Sequence, residues 1–156
     1  MIRGPAPSVF DFFRRADLWP ARMAHVRRAE LTEEPGGLQY LELDTVDPQG
    51  RAHTSSSIRI CFPDRLLIVA KGLRLPQIMA VHTGHWQFEQ GDGTVFGRCR
   101  QTVTLDPDGV HAVLGPRATL ADARDAVRRA LGADSIATLR HAKEFLEEAG
   151  GADGAG

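Results

Sequence analysis

Residues 51–62 read RAHTSSSIRICF, and the way this segment faces decides how the chain folds around anything it holds. Side chains alternate across an extended strand, so His53, Ser55, Ser57 and Arg59 share one side, with Cys61 ending the row. Thr54, Ser56, Ile58, Ile60 and Phe62 share the other. Ordinary patterning turns the apolar row to the core and the polar row to water. The alternative is that the polar row faces a cavity, which leaves Ile58, Ile60 and Phe62 outside, to be covered by a partner chain, a loop or the N-terminal segment.

Five further strand-like segments surround this one, near 26–32, 38–45, 66–71, 79–89 and 94–105. Turn signals separate them: Pro35-Gly36-Gly37, Asp47-Pro48-Gln49-Gly50, Pro63-Asp64, Gly91-Asp92-Gly93 and Asp106-Pro107-Asp108-Gly109. Ahead of them, Ser8 followed by Asp11 resembles a capping box and predicts a short helix from Ser8 to Ala16. Leu18-Trp19-Pro20 breaks it, and a second helical turn is expected around Ala21 to Ala24. From Thr119 to Glu148 there is no proline, and Leu120, Ala123, Val127, Leu131, Thr138, Ala142 and Phe145 recur at helical steps. One long amphipathic helix is predicted there, weakest at Gly132. Short helices, an antiparallel meander and a final long helix make an α+β arrangement in which a curved sheet wraps the helix and leaves a pocket between them.

Composition narrows the function. The chain has 156 residues, 42% hydrophobic and 25% charged, with a formal net charge of -1. These values predict one globular domain over residues 1–148, with residues 149–156 as a disordered tail. A balanced charge gives no pull toward nucleic acid or an anionic membrane surface. The longest strongly apolar run, Leu66 to Ala70, is far too short to cross a bilayer. Cys61 and Cys99 lack zinc-site spacing and no apolar leader opens the sequence, so reduced thiols in a cytoplasmic protein are expected.

Few residues could carry chemistry. If Arg59 faces a pocket, its guanidinium can donate several hydrogen bonds to a carbonyl or enolate oxygen, with His53, Ser55 and Ser57 extending the row. His82 and His85 invite a metal reading, but three residues apart on a strand they face opposite ways, and no metal site is expected. Alternation places His82, Gly84, Trp86 and Phe88 together, with Met79 just before them. That face offers a titratable group and an aromatic wall. Trp19 reads as a plug near the entrance formed by the short helices. Asp134 is an acid on the long helix, near the point where Gly132 would let it bend. There is no nucleophile elbow, phosphate loop, dinucleotide fingerprint or paired-cysteine motif, so no cofactor is expected.

Taken in order, several landmarks resemble the aromatase/cyclases of bacterial type II polyketide synthesis, members of the START-like or Bet v 1-like helix-grip superfamily. They are Phe12 to Pro20, Pro35 to Gln39, His53 to Pro63, His82 to Trp86, Leu105-Asp106-Pro107, Ala123-Arg124 and Ser135 to Leu139. The chain is most similar to the second half of the two-domain members. The resemblance implies that Arg59 points into the cavity and is essential for cyclisation. It implies as substrate a poly-β-ketone on an acyl carrier protein, within a polyketide synthase. His82, His53 or Asp134 would move protons, while Trp19, Ser55, Ser57, Met79, Trp86, Phe88 and Thr138 would bind substrate. Arg14, Arg15, Arg74 and Arg98 are candidate contacts for an acidic carrier. The rival reading is a non-catalytic polyketide or lipid carrier, or a structural partner domain of the same fold. Only Met1 to Gly4 precede Pro5 where the family opens with a full first strand, so that edge is expected to be absent or supplied by a partner chain, which would favour a homodimer.

Overall fold

A computed structural model describes residues 1–47 and 49–152 and places seven strands in one antiparallel sheet. The strands are β1 (Ile2–Arg3), β2 (Val26–Glu34), β3 (Leu38–Val46), β4 (Ala52–Phe62), β5 (Leu67–Arg74), β6 (Met79–Gln90) and β7 (Thr94–Leu105). Their order across the sheet is β1-β7-β6-β5-β4-β3-β2. Helices α1 (Ala6–Arg14) and α2 (Trp19–Arg22) follow β1, α3 (Pro107–Leu114) follows β7, and α4 (Leu120–Ala152) ends the chain. The expected α+β helix-grip architecture is present, with α4 packed on the concave side along β1, β7 and α1.

The turns close where the sequence supplies backbone freedom. Gly37 has φ 78°, and a Cβ there would sit 2.4 Å from the Cys61 carbonyl oxygen, so only glycine lets the β2–β3 turn lie against β4. The main core joins Val9, Phe10, Phe12 and Phe13 of α1 to Ile68, Phe88 and Val95 of the sheet, with Ala142 and Phe145 of α4 closing over them. A second cluster of Ile78, Val110, Ala123 and Val127 seals the sheet's other end beneath α3.

Four expectations change. The first strand exists: Ile2 and Arg3 pair with Val95 and Thr94, so the sheet edge at β7 is occupied. Helix α1 begins at Ala6 with proline in its first turn and no side-chain cap, so the box built on Ser8 does not form, and Asp11 binds Arg14 instead. The Asp106-Pro107-Asp108-Gly109 signal opens α3, because the Asp106 carboxylate accepts from the Asp108 and Gly109 amides as an N-cap. Helix α4 starts with Thr119 and Asp122 capping each other, and it runs through Gly132 without a break to Ala152. It thus continues past the expected end at Glu148; of the expected tail, 153–156 lie outside the described residues.

The β4 segment faces opposite to ordinary patterning. Arg59 is only 5% exposed and Cys61 is buried, whereas Ile58 and Ile60 are 40% and 37% exposed on the convex side. No helix among the described residues is long and apolar enough to cross a membrane.

Candidate active site

Strand register lays the concave face out in rows. Directly paired residues project to the same side, so Gln39, Arg59, Ala70, Gly84 and Gln101 form one row across β3 to β7. A neighbouring row holds Leu41, Ser57 and Gly72, then His82 and Val103. Polar side chains stand on either side of small residues: Arg59 and Ser57 on β4, His82 and Gln101 on β6 and β7, with Ala70, Gly72 and Gly84 between. Leu75 packs over Gly72 between them, and of these polar residues only Gln101 lines the cavity that opens between β7 and α4; Arg59, Ser57 and His82 do not. From strand spacing and rise, the Arg59 and His82 Cα atoms lie about 12 Å apart.

On the β4 side, the Arg59 Nη2 donates to the Phe13 carbonyl at 2.6 Å, while Nη1 is buried with no hydrogen-bond partner. The Trp19 ring lies 5.9 Å from the guanidinium carbon, held by its own indole bond to the Phe12 carbonyl at 2.9 Å. Burial pulls the guanidinium below its ordinary value, opposed by Cys61 and Glu33; arginine nevertheless stays protonated. Burial also raises the Cys61 thiol, which stays neutral and donates to Gln39 Oε1 at 3.4 Å. One buried cation therefore holds one free nitrogen, Nη1, with both of its N–H groups unpaired. Its counter-charge is indirect, since the Glu33 carboxylate is already bound by Arg14 at 3.1 Å.

On the other side a hydrogen-bond chain ends at a backbone carbonyl. Ser135 of α4 gives its only proton to the Leu131 carbonyl at 2.8 Å, so its oxygen accepts from Gln101 Nε2 at 2.7 Å. The Gln101 amide is thereby oriented, with Oε1 toward His82 Nε2 at 2.6 Å. Since Oε1 can only accept, Nε2 of His82 carries the hydrogen. The lone pair of the neutral ring is then on Nδ1, on the side of Gly72. A carbonyl four residues back in a helix thus selects which histidine nitrogen is basic.

A cavity of about 500 Å³ opens beside this chain between β7 and α4. Val103, Leu105, Val127, Leu131, Ile136 and Leu139 make it apolar, while Cys99, Gln101 and Ser135 supply polar atoms and Arg124 and Arg128 lie on its helical wall.

The remaining expected residues disperse. His53 is on the concave row but exposed at the open end of the sheet, bound to Asp47 at 3.4 Å and about 20 Å along the strand from Arg59. Ser55 is exposed too, leaving Ser57 as the serine beside Arg59. Asp134 does not line the cavity; its neighbour Ser135 does. Partial desolvation raises the Asp134 carboxyl, with His25 and His53 pulling it down. Thr138 returns its hydroxyl to the Asp134 carbonyl at 2.9 Å. Trp86 faces inward but stacks on Phe13 at 4.7 Å, and Phe88 is fully buried 4.8 Å from the same ring. Phe88 is therefore core. Met79 packs on the second cluster, because a bulge between Met79 and Val81 shifts the strand's register. His85 lies on the convex side, opposite His82. Arg14 and Arg15 are engaged by Glu33 and Asp17, and Arg98 lies 3.6 Å from Glu89.

Sequence reasoning missed Gln101, although alternation along Cys99, Gln101 and Val103 would have put it inside. It also missed His25 and His141, whose rings stack at 5.2 Å; burial and the neighbouring His141 lower His25 below the usual histidine range.

Comparison with known proteins bears on this arrangement. A family model described as polyketide cyclase / dehydrase and lipid transport matches residues 2–131. The granaticin polyketide synthase bifunctional cyclase/dehydratase of Streptomyces violaceoruber is 41% identical over 95% of this chain and 46% of its own length. The corresponding actinorhodin protein of Streptomyces coelicolor is 45% identical over 85% of this chain and 44% of its own. Among solved structures, the di-domain ARO/CYC BexL from the BE-7585A pathway superposes with TM-score 0.85 at 43% identity, covering 92% of this chain and 46% of that one. The chain spans about half the length of these relatives. The Zhui aromatase/cyclase, 20% identical with TM-score 0.77, shares the fold.

Proposed function

Because this chain belongs to the polyketide cyclase / dehydrase and lipid transport family, we propose that it is a cofactor-independent aromatase/cyclase acting on a poly-β-ketone carried by an acyl carrier protein. The observation that carries this reading is the unpartnered Nη1 of Arg59, a charged donor 95% buried on the concave side of the sheet. An orphaned buried donor is costly unless a ligand oxygen satisfies it.

The reaction would run as an aldol closure followed by loss of water. His82 Nδ1 takes a proton from a methylene flanked by two carbonyls, leaving an enolate. The enolate carbon bonds to a second carbonyl carbon of the same chain, whose oxygen becomes an alkoxide held by Arg59 Nη1. The alkoxide takes the proton back from His82 and becomes a hydroxyl; His82 then removes a second proton from the adjacent carbon and passes it to the departing hydroxyl, which leaves as water, and enolisation completes the aromatic ring. Gln101 and Ser135 keep the histidine in the required tautomer. Arg124 and Arg128 offer positive charge on the cavity wall to an acidic carrier.

The apolar lining of the cavity would equally suit a carrier without chemistry, and the two readings differ in product. A synthase reconstituted with and without this protein should shift from shunt to aromatised products, and Arg59→Ala should abolish the shift. An unchanged product ratio in the presence of folded, polyketide-binding protein would leave only the carrier role.

A further inference from the structure

The convex face of the sheet carries a pattern that catalysis does not use. Register gives one row across six strands: Glu34, Leu38, Ile60, Val69, His85 and Arg100. The next row runs Thr32, Tyr40, Ile58, Lys71, Thr83 and Thr102. Leu38, Tyr40, Ile58, Ile60 and Phe62 are each between 37% and 43% exposed, so the centre is a continuous apolar patch over β3 and β4. A shallow groove of about 380 Å³ runs beside Ile58, Ile60 and Val69.

Charge is distributed unevenly around that patch. On the β2–β3 side Glu30 and Glu42 are paired with Arg28 and Glu34 stands free of it; on the β5–β7 side Arg98 lies 3.6 Å from Glu89, with Lys71 and Arg100 beside them. Glu34, Lys71 and Arg100 have no ion-pair partner among the described residues.

We propose that this face binds a second copy of the chain, sheet to sheet, about a two-fold axis parallel to the strands between β4 and β5. That operation sets β2 over the partner's β7 and β4 over its β5. Ile60 then meets the partner's Val69, Ile58 meets the alkyl stem of the partner's Lys71, whose ammonium must extend past it to water, and Glu34 meets the partner's Arg100, each twice by symmetry. An axis perpendicular to the strands would instead oppose like charges. Face-to-face sheets pack with their strands nearly aligned, and this arrangement allows it. From strand spacing and rise the patch measures about 24 by 20 Å, a footprint near 500 Å² per copy, which is small for a specific interface. The dimer is therefore concentration-dependent.

Sedimentation equilibrium of the full chain tests this. The wild type should pass from monomer to dimer with a Kd on the order of 10 µM. Ile60→Glu should weaken the dimer by at least about 100-fold by burying a charge in the interface, with an unchanged far-UV spectrum. Glu34→Arg alone and Arg100→Glu alone should each weaken it about tenfold, and the double exchange should restore it. A wild type that stays monomeric at about 500 µM overturns the proposal, because a face of this size would be occupied there. A dimer indifferent to Ile60→Glu overturns it too, by placing the contact elsewhere. A dimer in which the double exchange is no better than either single assigns a different axis and equally refutes the arrangement.

Discussion

Replacing Arg59 by methionine should raise the stability of the fold while removing ring closure. The substitution deletes one hydrogen bond, from Nη2 to the Phe13 carbonyl, and leaves that buried oxygen without its donor. Such a loss costs about 1–3 kcal/mol. It also removes a buried cation whose Nη1 is unpartnered and whose nearest carboxylate is already taken by Arg14. Exchanging a poorly compensated buried ion for an apolar side chain of similar volume is worth about 1–4 kcal/mol in the other direction. The mid-range values leave a slight stabilisation of about 0.5 kcal/mol, or about 1–2 °C in the unfolding midpoint of a domain this size. Product formation should fall at least about 100-fold, the usual effect of deleting one oxyanion donor. Thermal unfolding followed by circular dichroism, alongside the product ratio of a reconstituted synthase, reads both quantities. A methionine variant less stable than wild type by more than about 2 kcal/mol would refute the reasoning, since Arg59 would then be a structural strut and not a donor awaiting a ligand.

Other changes separate neighbouring roles. Gln101→Leu frees the His82 tautomer, so the share of Nδ1-protonated ring seen by nitrogen NMR should rise and the rate of ring closure should fall about tenfold, with polyketide binding retained; an unchanged tautomer would break the chain inferred from Ser135. His25 has its folded pKa lowered by burial and by His141, so the neutral ring is the favoured form in the fold, and the unfolded state binds more protons below its pKa of about 6.5. Its contribution is present above that pH and is lost as the pH falls through it, and His25→Gln should flatten urea-unfolding stability between about pH 7 and 5. Gly109→Ala should destabilise the domain by about 2 kcal/mol or more in the same assay, because the new Cβ would lie 1.8 Å from the Gln77 carbonyl oxygen.

Periodicity alone reached the six longer strands and α4, because each is long and strongly patterned. It failed where one residue set serves two purposes: Asp106-Pro107 is as good a turn as it is a helix start, and only docking against Gln77 and Ile78 makes it the latter. The direction faced by Arg51 to Phe62 was not recoverable from its own pattern, which favours Ile58 and Ile60 in the core. The order of landmarks along the whole chain supplied it. The pairing of Gln101 with Ser135 joins residues 34 apart, and stacking of His25 on His141 joins α4 to the connection between α2 and β2. Neither leaves a local trace.

The reversal of β4 and the placement of the polar groups have one physical origin. A strand that turns Ser57 and Arg59 inward leaves the interior short of apolar contacts, and the fold compensates with Phe12 and Phe13 from α1 and Phe145 from α4. Those aromatics fill the end of the grip where Cys61, Ile68, Trp86 and Phe88 lie. They stop short of the rows holding Ala70, Gly72 and Gly84, where Leu75 covers Gly72. The polar groups on either side are committed elsewhere: Arg59 is drawn toward Phe13, and His82 is drawn to Gln101 and through it to α4, beside the cavity between β7 and α4. Arg59 Nη1 therefore has no internal bond to give up but no exposed surface either, so a ligand oxygen reaches it only when the side chains covering it shift, while Gln101 and Ser135 already hold the His82 ring in place.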